Sequence, residues 1–136
     1  MLSQTQINND SYRIVGCAIE VHRNLGPGLL ESVYQSCLIH ELKEAGLKII
    51  PQLYVPVIYK DTNLGGMLKL DILVNDWIIV ELKAVEAVLP LYKAQLLSYL
   101  KLACKPKGLL INFNCENIVK EGLVPLVTEE FAKLPK

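Results

Sequence analysis

The spacing of apolar residues changes several times along the chain, and each change marks an element. Over residues 9–24, Ile14, Cys17, Ala18 and Val21 recur at helical spacing and predict a first helix. Leu25-Gly26-Pro27-Gly28 interrupts it, because glycine and proline punctuate regular structure. A second helix is expected over residues 29–45, ending at Gly46 in the usual C-terminal place for glycine. Residues 48–59 read as extended, with Pro51 and Pro56 confining them to an edge or irregular strand. A turn over residues 61–66 leads into two strands, 67–74 and 77–83, separated by Asn75-Asp76. Pro90 can open a third helix reaching residue 103, since proline fits a first helical turn. A short apolar strand follows at 108–113, then a weaker one near 123–127 and a last helical turn at 128–133. The order predicts an α/β fold, a mixed sheet with helices packed against it.

Composition sharpens this picture. Apolar residues make up 51% of the 136 and the mean hydropathy is +0.31, which favours a sheet covered on both faces. The length suits one domain over residues 1–136, with residues 1–8 expected as a flexible tail. Fourteen basic and fourteen acidic residues cancel, which argues against strong non-specific DNA binding but leaves room for a local basic patch. Lys93, Lys101, Lys105 and Lys107 read as a solvated face that could form a modest patch of this kind. The polar start lacks the features of a secretory signal, and no apolar run approaches the roughly 20 residues of a membrane helix. A cytoplasmic protein with no membrane partner is expected. The four cysteines contain no C-x-x-C pair and read as reduced thiols, mostly buried. His22 and His40 are not spaced as ligands and read as structural or surface residues.

Chemistry concentrates at Asp71 and at Glu81-Leu82-Lys83, charged groups inside otherwise apolar strands. Alternation sets Glu81 and Lys83 on one face of their strand. Ionised groups settle in such surroundings when paired or bound to a metal, because desolvation costs several kcal/mol or more. Two carboxylates brought together repel, and a divalent cation removes that repulsion; hard oxygen ligands imply Mg²⁺ or Mn²⁺. The alternative is a pair of edge-strand charges facing water, with Asp71 pairing Lys69 or Lys83. Geometry attaches a condition. A two-residue turn at Asn75-Asp76 would place Glu81 opposite Leu70 and point the carboxylates to opposite faces. A metal site therefore requires a one-residue offset, from a three-residue loop or a bulge.

Two further features bear on the site. In the second helix Glu31 projects near Tyr34, Leu38, Leu42 and Ala45, the apolar stripe, so it should face the core or a cleft. In the third helix Gln95 and Tyr99 stand four apart, sharing a face with Leu91 and Leu102. The plain structural reading of that pair is a buried amide bonded to a tyrosine hydroxyl.

Gly28-Leu29-Leu30-Glu31-Ser32-Val33-Tyr34 is an unbroken G-x-x-E-x-x-Y. It is followed in order by Leu70-Asp71-Ile72-Leu73-Val74, Val80-Glu81-Leu82-Lys83-Ala84, Gln95-Leu96-Leu97-Ser98-Tyr99-Leu100 and Gly108-Leu109-Leu110-Ile111-Asn112-Phe113. Over residues 12–113 the chain resembles the GxxExxY protein family of the PD-(D/E)XK nuclease superfamily. The resemblance implies a restriction-endonuclease-like fold, an antiparallel meander plus a further strand flanked by helices. It implies Mg²⁺-dependent (or Mn²⁺-dependent) hydrolysis of phosphodiester bonds in nucleic acid, DNA ahead of RNA. Asp71 and Glu81 would hold the metal with the backbone carbonyl of Leu82, and Glu31 would complete its shell. Lys83 would be catalytic beside Asp71 and Glu81, orienting the attacking water. Tyr34, Lys69, Gln95 and Tyr99 would support the site or contact substrate, with Lys69 standing where the family pattern has arginine. A homodimer would supply two sites for two strands. The alternative is a non-catalytic module that keeps the nuclease fold and binds nucleic acid or a protein partner.

Overall fold

The computed structural model describes residues 1–66 and 68–136. Helix α1 (Gln4–Leu25) and helix α2 (Glu31–Glu44) precede strand β1 (Ile49–Val55) and a small ribbon, β2 (Ile58–Tyr59) and β3 (Thr62–Asn63). Strands β4 (Leu68–Val74) and β5 (Ile78–Lys83) follow, then helix α3 (Pro90–Ala103) and strand β6 (Lys107–Asn112). A π-helical turn (Ile118–Gly122), strand β7 (Leu123–Val127) and the short helix α4 (Glu129–Ala132) complete the order. The expected start of a strand at Met67 lies outside the described residues.

The main sheet has the order β1-β4-β5-β6-β7. β1, β4 and β5 are antiparallel, β5 and β6 are parallel across the α3 crossover, and β7 returns antiparallel to β6. This is the restriction-endonuclease-like mixed sheet flanked by helices. β1 lies at the edge, where Pro51 lacks a donor without breaking an internal ladder.

Each face of the sheet buries one apolar cluster. Ile72, Val74, Ile78, Val80 and Leu82 meet α1 and α2 through Ile14, Val21, Tyr34, Leu38 and Leu42. Leu70, Leu73, Ile79 and Leu110 meet Leu96 and Leu100 of α3. The central strand β5 is therefore apolar on both sides, as a doubly covered strand should be. Helix α3 seats closely: a Cβ on Gly108 would lie 3.0 Å from Leu96 and 3.1 Å from Leu100, so glycine sets the contact distance.

Residues 4–8, expected within a flexible tail, instead form the start of α1. Ser3 caps the helix by accepting from the Gln6 amide at 3.1 Å. The Gln4 side chain donates to the carbonyls of Phe131 and Leu134, and Ile7 is fully buried. The apolar stripe thus begins one helical repeat before Ile14, hidden among polar neighbours. The buried face of α3 also differs from expectation: Leu96 and Leu100 point inward, while Leu91 and Leu102 are 61% and 42% exposed. A helix apolar on several sides does not announce which side is covered. Of the cysteines, all free, Cys17 is buried and Cys104 is exposed.

Candidate metal and catalytic centre

The turn between β4 and β5 sets the site. It holds three residues, Asn75, Asp76 and Trp77, because Val74 pairs with Ile78. Asn75 and Asp76 adopt φ of 49° and 66°, which asparagine and aspartate tolerate well among L-residues. The turn is pinned from the start of β1: the Lys48 amide donates to Asn75 Oδ1 at 2.9 Å, and Lys48 Nζ meets Asp76 at 2.9 Å. With Ile72 opposite Val80, one further step brings Asp71 opposite Glu81. The one-residue offset that a metal site requires is present.

At that step the backbone ladder stops and carboxylates take its place. The Asp71 amide donates to Glu81 Oε1 at 3.1 Å, and the Leu82 amide donates to Asp71 Oδ2 at 2.9 Å. Leu70 and Leu73 both face α3 although they stand an odd number of residues apart, so the pleat is interrupted between them, around Asp71. In an extended strand a residue's N–H and C=O point to the same side. The Leu82 carbonyl therefore faces the gap that the Leu82 amide already bridges.

Burial and charge act together on Glu81. It is 9% exposed, and its carboxyl is pushed up to about 8. Burial is the largest cause and the Asp71 charge adds to it, while the Asp71 amide and Lys83 pull the other way. Lys83 forms no ion pair with either carboxylate. Its ammonium lies 4.7 Å from the centroid of the Tyr92 ring, a cation–π contact that holds the charge beside the site. The alternative of Asp71 paired with Lys69 or Lys83 is not what the structure shows. Lys69 is exposed, across the ladder from Tyr54.

Two helices approach this end of the sheet. Glu31 opens α2, where the positive end of the helix favours a carboxylate. Burial raises its carboxyl, with Lys83 opposing and Asp71 adding, so it lies within electrostatic reach of both. Gln35, one turn on, donates to the Asp71 carbonyl at 3.3 Å. Across the sheet, Glu81, Lys83, Tyr92, Gln95 and Tyr99 border a cleft of about 40 Å³, room for about one water molecule. Gln95 is exposed and Tyr99 half-buried, so the buried amide–hydroxyl pair is absent. The Tyr99 hydroxyl is raised by burial and then by Glu81 and Asp71.

Among the described residues no three His, Cys, Asp or Glu side chains converge as a ligand group. Asp71 and Glu81 form the close pair, and Glu31 stands outside it. Tyr34 also departs from a substrate-contacting role. It is fully buried, stacks on Phe113 at 4.6 Å, donates to the Gly26 carbonyl at 2.6 Å and accepts from the Leu29 amide at 3.1 Å. The G-x-x-E-x-x-Y run thereby acquires a physical reading. Gly28 supplies a φ of 101° in the loop, Tyr34 ties the loop down, and Glu31 is delivered at the head of α2.

Three site residues escaped sequence reasoning. Tyr92 precedes Gln95 by three and Tyr99 by seven, and Gln35 follows Glu31 by four, so helical spacing carried both signals. Asn112 is buried and brackets Val85 through its amide and carbonyl, at 3.0 and 2.9 Å, fixing the exit of β5 after Lys83.

A family model for the PD-(D/E)XK nuclease superfamily matches residues 8–123. The chain belongs to that superfamily. Its members act on nucleic acid and generally use divalent metal ions. No curated protein and no solved structure gave a match. In this PD-(D/E)XK protein no helix of the described residues is long and apolar enough to cross a membrane.

Proposed function

We propose that this chain is a Mg²⁺-dependent nuclease of the GxxExxY group, with Asp71, Glu81 and the Leu82 carbonyl as metal ligands. The observation that carries the reading is the Asp71–Glu81 pair itself. Two carboxylates meet where β4 and β5 part, one of them buried and in no salt bridge. Such a donor set fits a hard divalent cation, which would replace the proton that Glu81 otherwise keeps. A bound cation supplies Lewis-acid charge to lower the pKa of water and to neutralise the scissile phosphate. Lys83, whose ammonium lies over the Tyr92 ring and in no ion pair, would serve the attacking water and the anionic transition state. Glu31, at the head of α2 and within electrostatic reach of Asp71 and Lys83, would add an acceptor through water. Gln95 and Tyr99 border the cleft on the other side and support the site or the nucleic-acid backbone.

Purified protein with Mg²⁺ or Mn²⁺ is expected to cut DNA, the preferred substrate over RNA. Asp71→Ala and Lys83→Ala should each lower the rate by at least about 10²-fold, the usual cost of a catalytic group. Activity unchanged in both variants would sink the reading. The close pair numbering two carboxylates instead of three supports a second reading, a non-catalytic module of nuclease fold. Calorimetric titration with Mn²⁺ separates the two, since the module should bind none.

A further inference from the structure

Beyond Val55 and Leu68 the β1–β4 ladder continues outward as the ribbon β2–β3. The junction is hydrogen-bonded: the Val57 amide donates to the Gly65 carbonyl at 3.0 Å and the Leu64 amide to the Val57 carbonyl at 2.9 Å. The strand registers fix its direction. Leu68 lies past Asp71 on the side toward which β5 runs from Val80 to Lys83. The ribbon therefore leaves the sheet at the same end as the carboxylate pair.

All four residues of β2 and β3 are exposed. A two-stranded ribbon is marginal in water unless something packs on it, yet Tyr54 and Tyr59 are 61% and 59% exposed here. Each tyrosine has a lysine at hand. Lys69 pairs across the ladder from Tyr54. Lys60 Nζ lies 5.5 Å from the Tyr59 ring centroid, carried by a tip whose Lys60 and Asp61 have φ of 48° and 63°, as a tight hairpin turn requires. Exposed aromatic rings each beside a cation, on a ribbon and its root at the carboxylate end of the sheet, match the chemistry of a nucleic-acid strand: ring faces take bases and ammonium groups take phosphates. The bases of a duplex cover each other's faces, so rings can stack on them only where the strand is unpaired.

We propose that the ribbon is a binding arm for an unpaired nucleic-acid strand, stacking bases on Tyr54 and Tyr59 and pairing phosphates with Lys69 and Lys60. The role of guiding that strand to Asp71 and Glu81 rests on the nuclease reading; the binding itself does not. Base faces and phosphates are common to DNA and RNA, and both strands belong in the test.

The test is fluorescence anisotropy in EDTA, where nothing is cut, with labelled DNA and RNA strands of one sequence and with the matching DNA duplex. The protein should bind a single strand more tightly than the duplex. Tyr54→Ala with Tyr59→Ala should weaken strand binding roughly ten-fold or more, and Phe at both positions should restore it. Lys60→Ala with Lys69→Ala should make the salt dependence shallower. These side chains are exposed, so thermal midpoints should match wild type. The proposal is overturned if the alanine pair binds as wild type does, or if duplex binds as tightly as strand. It is equally overturned if sedimentation shows that the tyrosines hold two copies of the chain together. Cutting by a wild type whose tyrosine variants bind normally would remove the arm and keep the nuclease. Tyrosine-dependent binding by a protein that cuts nothing would do the reverse.

Discussion

Glu81 keeps its proton in the metal-free fold well above the ordinary carboxylate value of 4.5, up to about 8. The unfolded chain releases that proton near the ordinary value, so between the two limits the folded chain binds more protons. The contribution is fully present below about pH 4.5 and is lost as pH rises through about 8, with a limiting slope of about 1.4 kcal/mol per pH unit. Urea melts of metal-free protein across this range should show stability falling with pH, and Glu81→Gln should flatten the curve. A wild-type curve as flat as the variant's would contradict the assignment. Lys83 depends on its neighbour in another way. Tyr92→Leu removes the ring face and should lower turnover several-fold, given about 1–2 kcal/mol for a partly desolvated cation–π contact. Tyr92→Phe should not, and Mn²⁺ binding should survive in both, because Tyr92 makes no hydrogen bond to either carboxylate.

At the level of elements, the turn between β4 and β5 decides whether a site exists. Deleting Ile78 while keeping the three-residue turn sets Val74 opposite Ile79 and brings Leu82, in place of Glu81, opposite Asp71. Mn²⁺ binding should disappear, with a lower thermal midpoint because β5 buries side chains on both faces. The need for this offset was legible from Asp71 and Glu81 together with alternation, but its cause was not. Trp77 reads as a strand residue by propensity, and only the pairing of Val74 with Ile78 moves it into the turn. The long helices were legible because their periodic stripes are several turns long. The inward face of α3 was not, since leucines surround that helix and packing on Gly108 chooses among them. The ribbon β2–β3 is too short for any period, and Tyr92 carries a role that emerges only when α3 is laid across Lys83.

Over the whole molecule, the two chain ends meet and reinforce the α1 face of the sheet. Gln4 bonds to the carbonyls of Phe131, Leu134 and Pro135, while Ile7 joins the core beside them. Removing residues 1–8 should therefore cost stability, about 1 kcal/mol for the Ser3 cap and about 2–5 kcal/mol for the Ile7 side chain. Denaturant midpoints for the shortened chain test this, and a midpoint equal to the full chain's would show that the segment contributes nothing. The same truncation should leave Mn²⁺ binding measurable wherever the protein remains folded, because α1 supplies no residue to the carboxylate pair.

The exchange between Asp71 and Glu81 and the backbone opposite makes these carboxylates stitches as well as ligands. Wherever β4 and β5 part, an acceptor at each position closes an amide that would otherwise be left open. A descendant of this chain that had lost all chemistry would still be selected to keep an oxygen at 71 and at 81, for the sake of the seam alone. Lys83 has no such second duty, since its ammonium makes no hydrogen bond to the backbone and lies over the Tyr92 ring. In a lineage of related chains, the fate of the lysine and its aromatic neighbour would tell cutters from relics more sharply than the fate of the acids.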